Sequence, residues 1–462
     1  MSLSEVLQLF VLLTFLVING GNTAAIVLAA RASMQRERRV STLEEKVLMR
    51  SATYLPVSFL IPAYNEEATI VESLQSLLAM HYPEFEVIVT NDGSKDGTMA
   101  AMAEAFELVP CLPSPRRFTS HTTVRTAYRS RTRSNLFVLD KVNGGRADAL
   151  NAALEQARYP VVVLTDADSL IDPEALQRAG TRFLDEPSLV ALGGTIRVVN
   201  EADVVDGAVV RPRTPRNFIA RWQLLEYLRA FITARAAMSQ VGCLISVSGA
   251  FGIFRRSALL SVGGLRTDTV GEDLELTIRL HRHFRDLKLP YRIEFMLDPV
   301  CWTQVPEEAK VLARQRDRWH RGLFEALWAH RGMLFRRSYG LIGSMALPYA
   351  WYVEGLSPVL EVSGYLTIIL MAVLGTLDWP FVGAFLALSV GYGTLVGLAS
   401  AALDQTLPHS PKSTGDRYRL FIAVMTENLG YRQWLAVVRV LAMFKIKSSR
   451  GKWGAMTRRR FS

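Results

Sequence analysis

Residues 161–168 read Val161-Val-Val-Leu-Thr-Asp166-Ala-Asp168. Four apolar residues in a row, three of them β-branched, suit a short strand buried on both faces. The Asp-x-Asp that follows places two carboxylates at the strand's carboxyl end. Similar runs occur at Val57-Ser-Phe-Leu-Ile61, Phe85-Glu-Val-Ile-Val-Thr90 and Leu136-Phe-Val-Leu139. Helix-compatible stretches lie between or after them, at 66–80, 97–107, 146–157 and 173–184. This alternation predicts an α/β fold with a mostly parallel, Rossmann-like sheet and helices on both faces. Ligands of such sheets bind at the carboxyl ends of strands, so the residues just after each strand are the candidate site.

Asp92 follows the second strand in Asn91-Asp92-Gly93-Ser94, where the Asp-Gly turn leaves its carboxylate at the strand end. Asp166 and Asp168 can hold a hard divalent cation against a diphosphate, because Mg²⁺ takes oxygens from one or two carboxylates plus phosphates. The same Asp168-Ser169 could simply cap a helix. Lys141-Val-Asn-Gly144-Gly145-Arg146 precedes a helix; paired glycines allow close backbone approach, and Lys141, Arg146 and the helix N-terminus suit a phosphate. Glu272 and Asp273 open another helix, where carboxylates also serve as dipole partners. In Gln315-Arg316-Asp317-Arg318-Trp319, Arg318 can clamp a diphosphate and Trp319 can stack on a sugar ring; as a plainer alternative the pair anchors an interface helix.

The chain has 462 residues with 53 Lys+Arg against 43 Asp+Glu, and a mean hydropathy of +0.17. The apolar content is concentrated. No charge interrupts Val6–Ala30 or Phe381–Leu403, each long enough to cross a bilayer, and Val362–Leu377 is a shorter third run. The basic excess sits beside these runs, at Arg31, Arg36, Arg38 and Arg39 and again from Lys445 to Arg460, as on the cytoplasmic side of membrane proteins. The expected organisation is an N-terminal anchor (1–32), a catalytic domain (50–320), an interfacial amphipathic helix (321–340), a C-terminal membrane region (341–447) and a basic cytoplasmic tail (448–462). Residues 340–361 carry Glu354 and Glu361, so the pattern leaves open whether they span; two or four C-terminal spans keep both flanks cytoplasmic. The Pro- and Arg-rich stretch 110–134 reads as a solvated surface loop. His281, His283 and His320 lack zinc spacing and read as solvated or interfacial. Cys111, Cys243 and Cys301 form no CxxC pair, which argues against a disulfide framework.

Together these elements resemble the processive glycosyltransferase family 2, which includes hyaluronan, chitin, cellulose and poly-N-acetylglucosamine synthases. The resemblance runs from about Val57 to Gly322. Pro62-Ala-Tyr-Asn-Glu-Glu67 looks like the opening of its GT-A fold, and Asp92 matches its uridine-contacting aspartate. Lys141 and Gly144–Asn151 match K-x-G-G-K-A-x-A-L-N, with Arg146 in place of Lys. Asp166 and Asp168 match its D-x-D, Val247-Ser248-Gly249 its acceptor-side element, and Gln315, Arg318 and Trp319 its Q-x-x-R-W. Glu272-Asp273 matches T-E-D with Gly271 in place of Thr.

The resemblance implies an inverting transferase of the inner membrane, multi-pass with a cytoplasmic catalytic domain, that moves sugar from a UDP-sugar to a growing β-linked polysaccharide. It implies Mg²⁺ or Mn²⁺ at Asp168 and Asp166, Asp273 as base beside Glu272, and nucleotide contacts from Asp92, Lys141, Arg146 and Arg318. The alternative is a single addition to a membrane lipid. The few spans argue against a complete polymer channel in one chain, so export or co-polymerase partner proteins are expected; no nucleic-acid partner is.

Overall fold

The computed structural model describes residues 3–40, 54–113, 118–205 and 207–445. The basic tail 448–462 lies outside the described residues, as do the side chains of Arg38 and Arg39. Each strand read from the sequence is present: β1 (Val57–Ala63), β2 (Phe85–Asn91), β5 (Leu136–Lys141) and β6 (Val161–Thr165). They lie side by side in the order β5-β2-β1-β6, all parallel. Their continuous apolar character has a direct cause. Phe59 and Ile61 pack into one core and Leu60 into the other, so both faces of the pleat are buried.

This parallel block is extended on both sides by strands the sequence reading did not name. On one side lie β4 (Val124–Ser130) and β3 (Leu108–Cys111), antiparallel to their neighbours. On the other, β11 (Phe251–Arg255) runs antiparallel between β6 and β8 (Leu189–Val198), and β8 pairs in parallel with β12 (Arg292–Thr303). β7 (Leu170–Ile171) completes a ten-stranded mixed sheet, and β9 (Asp203–Val205) and β10 (Ala208–Arg211) form a separate antiparallel pair. Within the stretch 110–134, residues 110–111 and 124–130 are therefore corrected from a solvated loop to strands at one end of the sheet. Within Val124–Ser130, Ala127 and Ser130 are buried while Arg125 and Arg129 are exposed, and the surrounding prolines and arginines masked the strand in the sequence.

Three helices are long and apolar enough to cross a membrane among the described residues: Gln8–Arg36, Ile342–Val373 and Trp379–Gln405. The doubtful stretch 340–361 and the run after it thus belong to one 32-residue helix. Ion pairs tie the sheet to these helices. Arg36 at the end of the first span meets Asp298 at 2.5 Å, and Arg197 on β8 makes a fully buried pair with Asp404 on the last span. Arg318 and Trp319 ride on a single helix, Ala309–Ala329, that continues past residue 320 and ends in two 3-10 turns, Arg331–Met333 and Arg337–Tyr339. His281 and His320 are buried rather than solvated, at 2% and 5% exposure. His281 donates from Nε2 to the Leu244 carbonyl and accepts at Nδ1 from the Tyr291 hydroxyl, both at 2.8 Å.

Candidate active site

The sheet's carboxyl edge opens into a cavity of about 1910 Å³. Nine of the ten predicted site residues line it: Asp92, Arg146, Asp166, Asp168, Glu272, Asp273, Gln315, Arg318 and Trp319. Lys141 does not. Its side chain is fully buried behind the wall, and its Nζ bonds Asp92 Oδ1 at 2.5 Å, the Val142 carbonyl at 2.7 Å, and Asp148. An ammonium has three protons, and all three are engaged within the protein. The direct phosphate contact expected of Lys141 is corrected on that ground.

What Lys141 holds is the glycine loop. Asp92 accepts from the Gly144 amide at 2.9 Å and the Gly145 amide at 2.7 Å, and its backbone carbonyl accepts from Asn143 Nδ2. Burial pushes the Asp92 carboxyl upward, against the pull of Lys141 and these amides. Gly145 adopts a φ of +91°, in the region that favours glycine. Thr122, just before β4, holds the other side: its amide donates to Asp148 Oδ2 at 2.8 Å, and its hydroxyl lies 2.8 Å from both Asp148 Oδ1 and the Val142 carbonyl, donating to one at a time. Asn151, the last residue of the motif, bonds both the amide and carbonyl of Leu265 and the carbonyl of Ser120. Much of this segment therefore shapes the loop, and sequence reasoning missed Asp148 and Thr122 because their partners lie across a turn.

Arg146 joins the acidic motifs. Its Nε donates to Asp166 at 2.9 Å, Nη1 to Glu272 at 2.8 Å and Nη2 to the Gly249 carbonyl at 2.7 Å. Gly249 in turn donates its amide to Asp273 Oδ2 at 3.0 Å, while Asp273 Oδ1 accepts from the Leu274 amide at 2.8 Å. Asp273 thus sits in the first turn of helix Glu272–Asp286, at its positive end, with both oxygens oriented and room for a further bond. Burial pushes the Glu272 carboxyl upward and pulls the Arg318 guanidinium down.

Asp168 is pushed up to about 7, first by burial and then by the charge of Asp166. Two crowded carboxylates of this kind fit a divalent cation, whose charge relieves their repulsion. Among the described residues no cluster of three or more His, Cys, Asp or Glu side chains forms a self-sufficient metal cage. Such a cation would need substrate oxygens to complete its shell.

Gly271 explains a departure from the family pattern. A Cβ there would meet the Gly322 carbonyl carbon and oxygen at 2.8 Å. Glycine at both positions lets the helix carrying Arg318 and Trp319 touch the helix start carrying Asp273. Gly271→Thr is expected to separate the two helices, costing about 1–3 kcal/mol. A lower thermal midpoint of the detergent-purified protein, together with slower transfer, would register it; an unchanged midpoint would refute the close contact.

The family model described as Glycosyltransferase like family 2 matches residues 55–322. The chain belongs to that family. It is 31% identical over 271 residues to a poly-β-1,6-N-acetyl-D-glucosamine synthase of Staphylococcus epidermidis, covering 59% of this chain and 55% of the relative. It is 29% identical over 272 residues to the protein of that name from Staphylococcus aureus strain COL, with the same two coverages. The chain therefore spans about half the length of the curated relatives it matches. Among solved structures, a mannosyltransferase from Pyrobaculum calidifontis in complex with GDP-Man and Mn²⁺ is similar at a TM-score of 0.48 and 18% identity, covering 93% of this chain and 99% of that one. Staphylococcus aureus TarS 1-349 in complex with UDP-GlcNAc is similar at 0.41 and 16%, covering 82% and 92%. The chain's α/β sheet, with its acidic motifs gathered at one edge, is GT-A-like.

Proposed function

We propose that this chain is an inverting, inner-membrane exopolysaccharide synthase that extends a β-linked polymer from a UDP-sugar. One observation carries the reading. The cavity holding Asp273 continues between the membrane helices, where Asn19 and Asn22 of the first span and Glu354 and Glu361 of the second line it. An acceptor chain seated there presents its end to the base and its length to the membrane helices. The matches to poly-β-1,6-N-acetyl-D-glucosamine synthases support N-acetylglucosamine as the first sugar to test. The basic flank after the first span supports a multi-pass arrangement with the catalytic domain cytoplasmic.

The chemistry follows from the positions. Asp273 accepts the proton of the acceptor hydroxyl as its oxygen bonds the anomeric carbon. The bond from that carbon to the diphosphate oxygen breaks on the opposite face, its electron pair leaving with UDP, so an α-linked donor gives a β-linkage. Asp168 and Asp166 would hold Mg²⁺ or Mn²⁺, which supplies charge neutralisation at the leaving diphosphate. Arg318 reaches the same diphosphate from the cavity wall, and Trp319, 45% exposed, offers its ring to the acceptor sugar. Arg146 keeps Asp166, Glu272 and Gly249 in register, and Lys141 positions the glycine loop.

The test is UDP release by the purified protein across a panel of UDP-sugars. Release from one UDP-sugar, lost with EDTA and restored by Mg²⁺ or Mn²⁺, is expected. Release that survives EDTA would remove the metal from the reading, and no release from any UDP-sugar would remove the donor class.

A further inference from the structure

Four glutamates line the cavity toward its membrane end, and three of them have arginine partners. Glu427 takes both terminal nitrogens of Arg229, Glu226 pairs with Arg316, and Glu361 lies 3.4 Å from Arg432. Glu354 is the exception. Among the described residues no hydrogen bond or close ion pair fixes its carboxylate, yet it sits in a membrane-crossing helix. Ionisable groups at such depth are costly, and they face protein or a wet cavity. Glu354 is exposed, and the surface it exposes lines the cavity that holds Asp273.

Its surroundings make a carboxylate tolerable there. Arg235 and Arg439 lie within electrostatic reach of Glu354. Arg235 is held over the Phe231 ring at 4.1 Å and bonded to Ser246 at 3.3 Å, and its charge also reaches Asp273. Arg439, on helix Tyr431–Lys445, lines the same cavity. Both Glu354 and Arg235 belong to π-helical stretches, Ala350–Leu356 and Leu228–Arg235, a backbone form found mostly at functional positions. Two such stretches thus meet one cavity and present opposite charges across it.

We propose that Glu354 is an acceptor-binding residue whose carboxylate takes the hydroxyl or amide N–H groups of a neutral sugar in the acceptor chain. A carboxylate offers about four acceptor positions, and bonds to it are charge-assisted. That chemistry selects sugars rich in O–H and N–H donors and rejects those carrying a carboxylate of their own. Arg235 and Arg439 supply compensating charge without occupying the acceptor positions. The inference rests on the reading of the cavity as an acceptor path.

The experiment uses the full chain in detergent with UDP-N-acetylglucosamine, Mg²⁺ and a β-1,6-linked N-acetylglucosamine trisaccharide. Glu354→Leu is expected to raise the acceptor KM by about tenfold or more, as loss of a charge-assisted hydrogen bond does, while the donor KM stays unchanged. Glu354→Gln, which keeps one acceptor oxygen, should recover part of the loss. The unchanged donor KM also reports a folded site. An acceptor KM in Glu354→Leu equal to wild type, or donor and acceptor KM rising together, would overturn the proposal. Should the wild type transfer only to a membrane lipid, the polymer reading fails, and the same comparison made on that lipid decides Glu354 separately.

Discussion

Asp273→Asn is expected to lower transfer by about 10²–10⁴-fold, the range for loss of a general base, with UDP binding unchanged. The geometry makes the substitution clean. An asparagine can still accept from the Leu274 or Gly249 amide, so the start of helix Glu272–Asp286 keeps its place. What is lost is the basic lone pair that takes the acceptor proton. UDP release followed alongside calorimetric UDP binding separates the two effects. Full transfer by the asparagine variant would remove Asp273 as base; lost UDP binding would mean that it shapes the donor site instead.

The second large effect concerns Lys141. Its replacement by Met would leave Asp92 and Asp148 buried near one another without their shared cation. Breaking a buried pair by removing one partner costs about 3–5 kcal/mol. The variant should show a lower thermal midpoint and weakened donor binding together, because the Gly144–Gly145 loop hangs on Asp92. Adding Asp148→Asn should recover part of the stability, since removing both members of a buried pair costs less than removing one. A residue that merely touched the diphosphate would behave differently: donor KM would rise and the midpoint would hold. That outcome would contradict the positioning role.

The parallel half of the sheet was legible because local pattern decides it. Val161–Leu164 and its sister runs are apolar on both faces, and such runs have few alternatives to a buried strand. The flanking strands were harder. β8, β11 and β12 are set by pairings between residues far apart in the chain, which no local window contains. The strand Val124–Ser130, next to the sheet's edge, was hidden by Arg125 and Arg129, which are exposed to solvent. At the site, the types and order of the motifs were enough to gather nine residues around one cavity. The division of labour among them was not, because it depends on which donor reaches which acceptor. Lys141 reads as a phosphate ligand until its three protons are counted against Asp92, Asp148 and Val142. Glu354 first read only as an obstacle to membrane crossing; its meaning depends on the cavity that reaches it.

In the proposed function, one cavity links the base to a path among the membrane helices, so that successive additions extend a single chain. The size of the product that this chain makes from UDP-N-acetylglucosamine and Mg²⁺ tests the proposal. A ladder of oligomers or a high polymer is expected, digestible by an enzyme specific for β-linked N-acetylglucosamine. One sugar added once to a lipid, with nothing longer at any donor concentration, would contradict it.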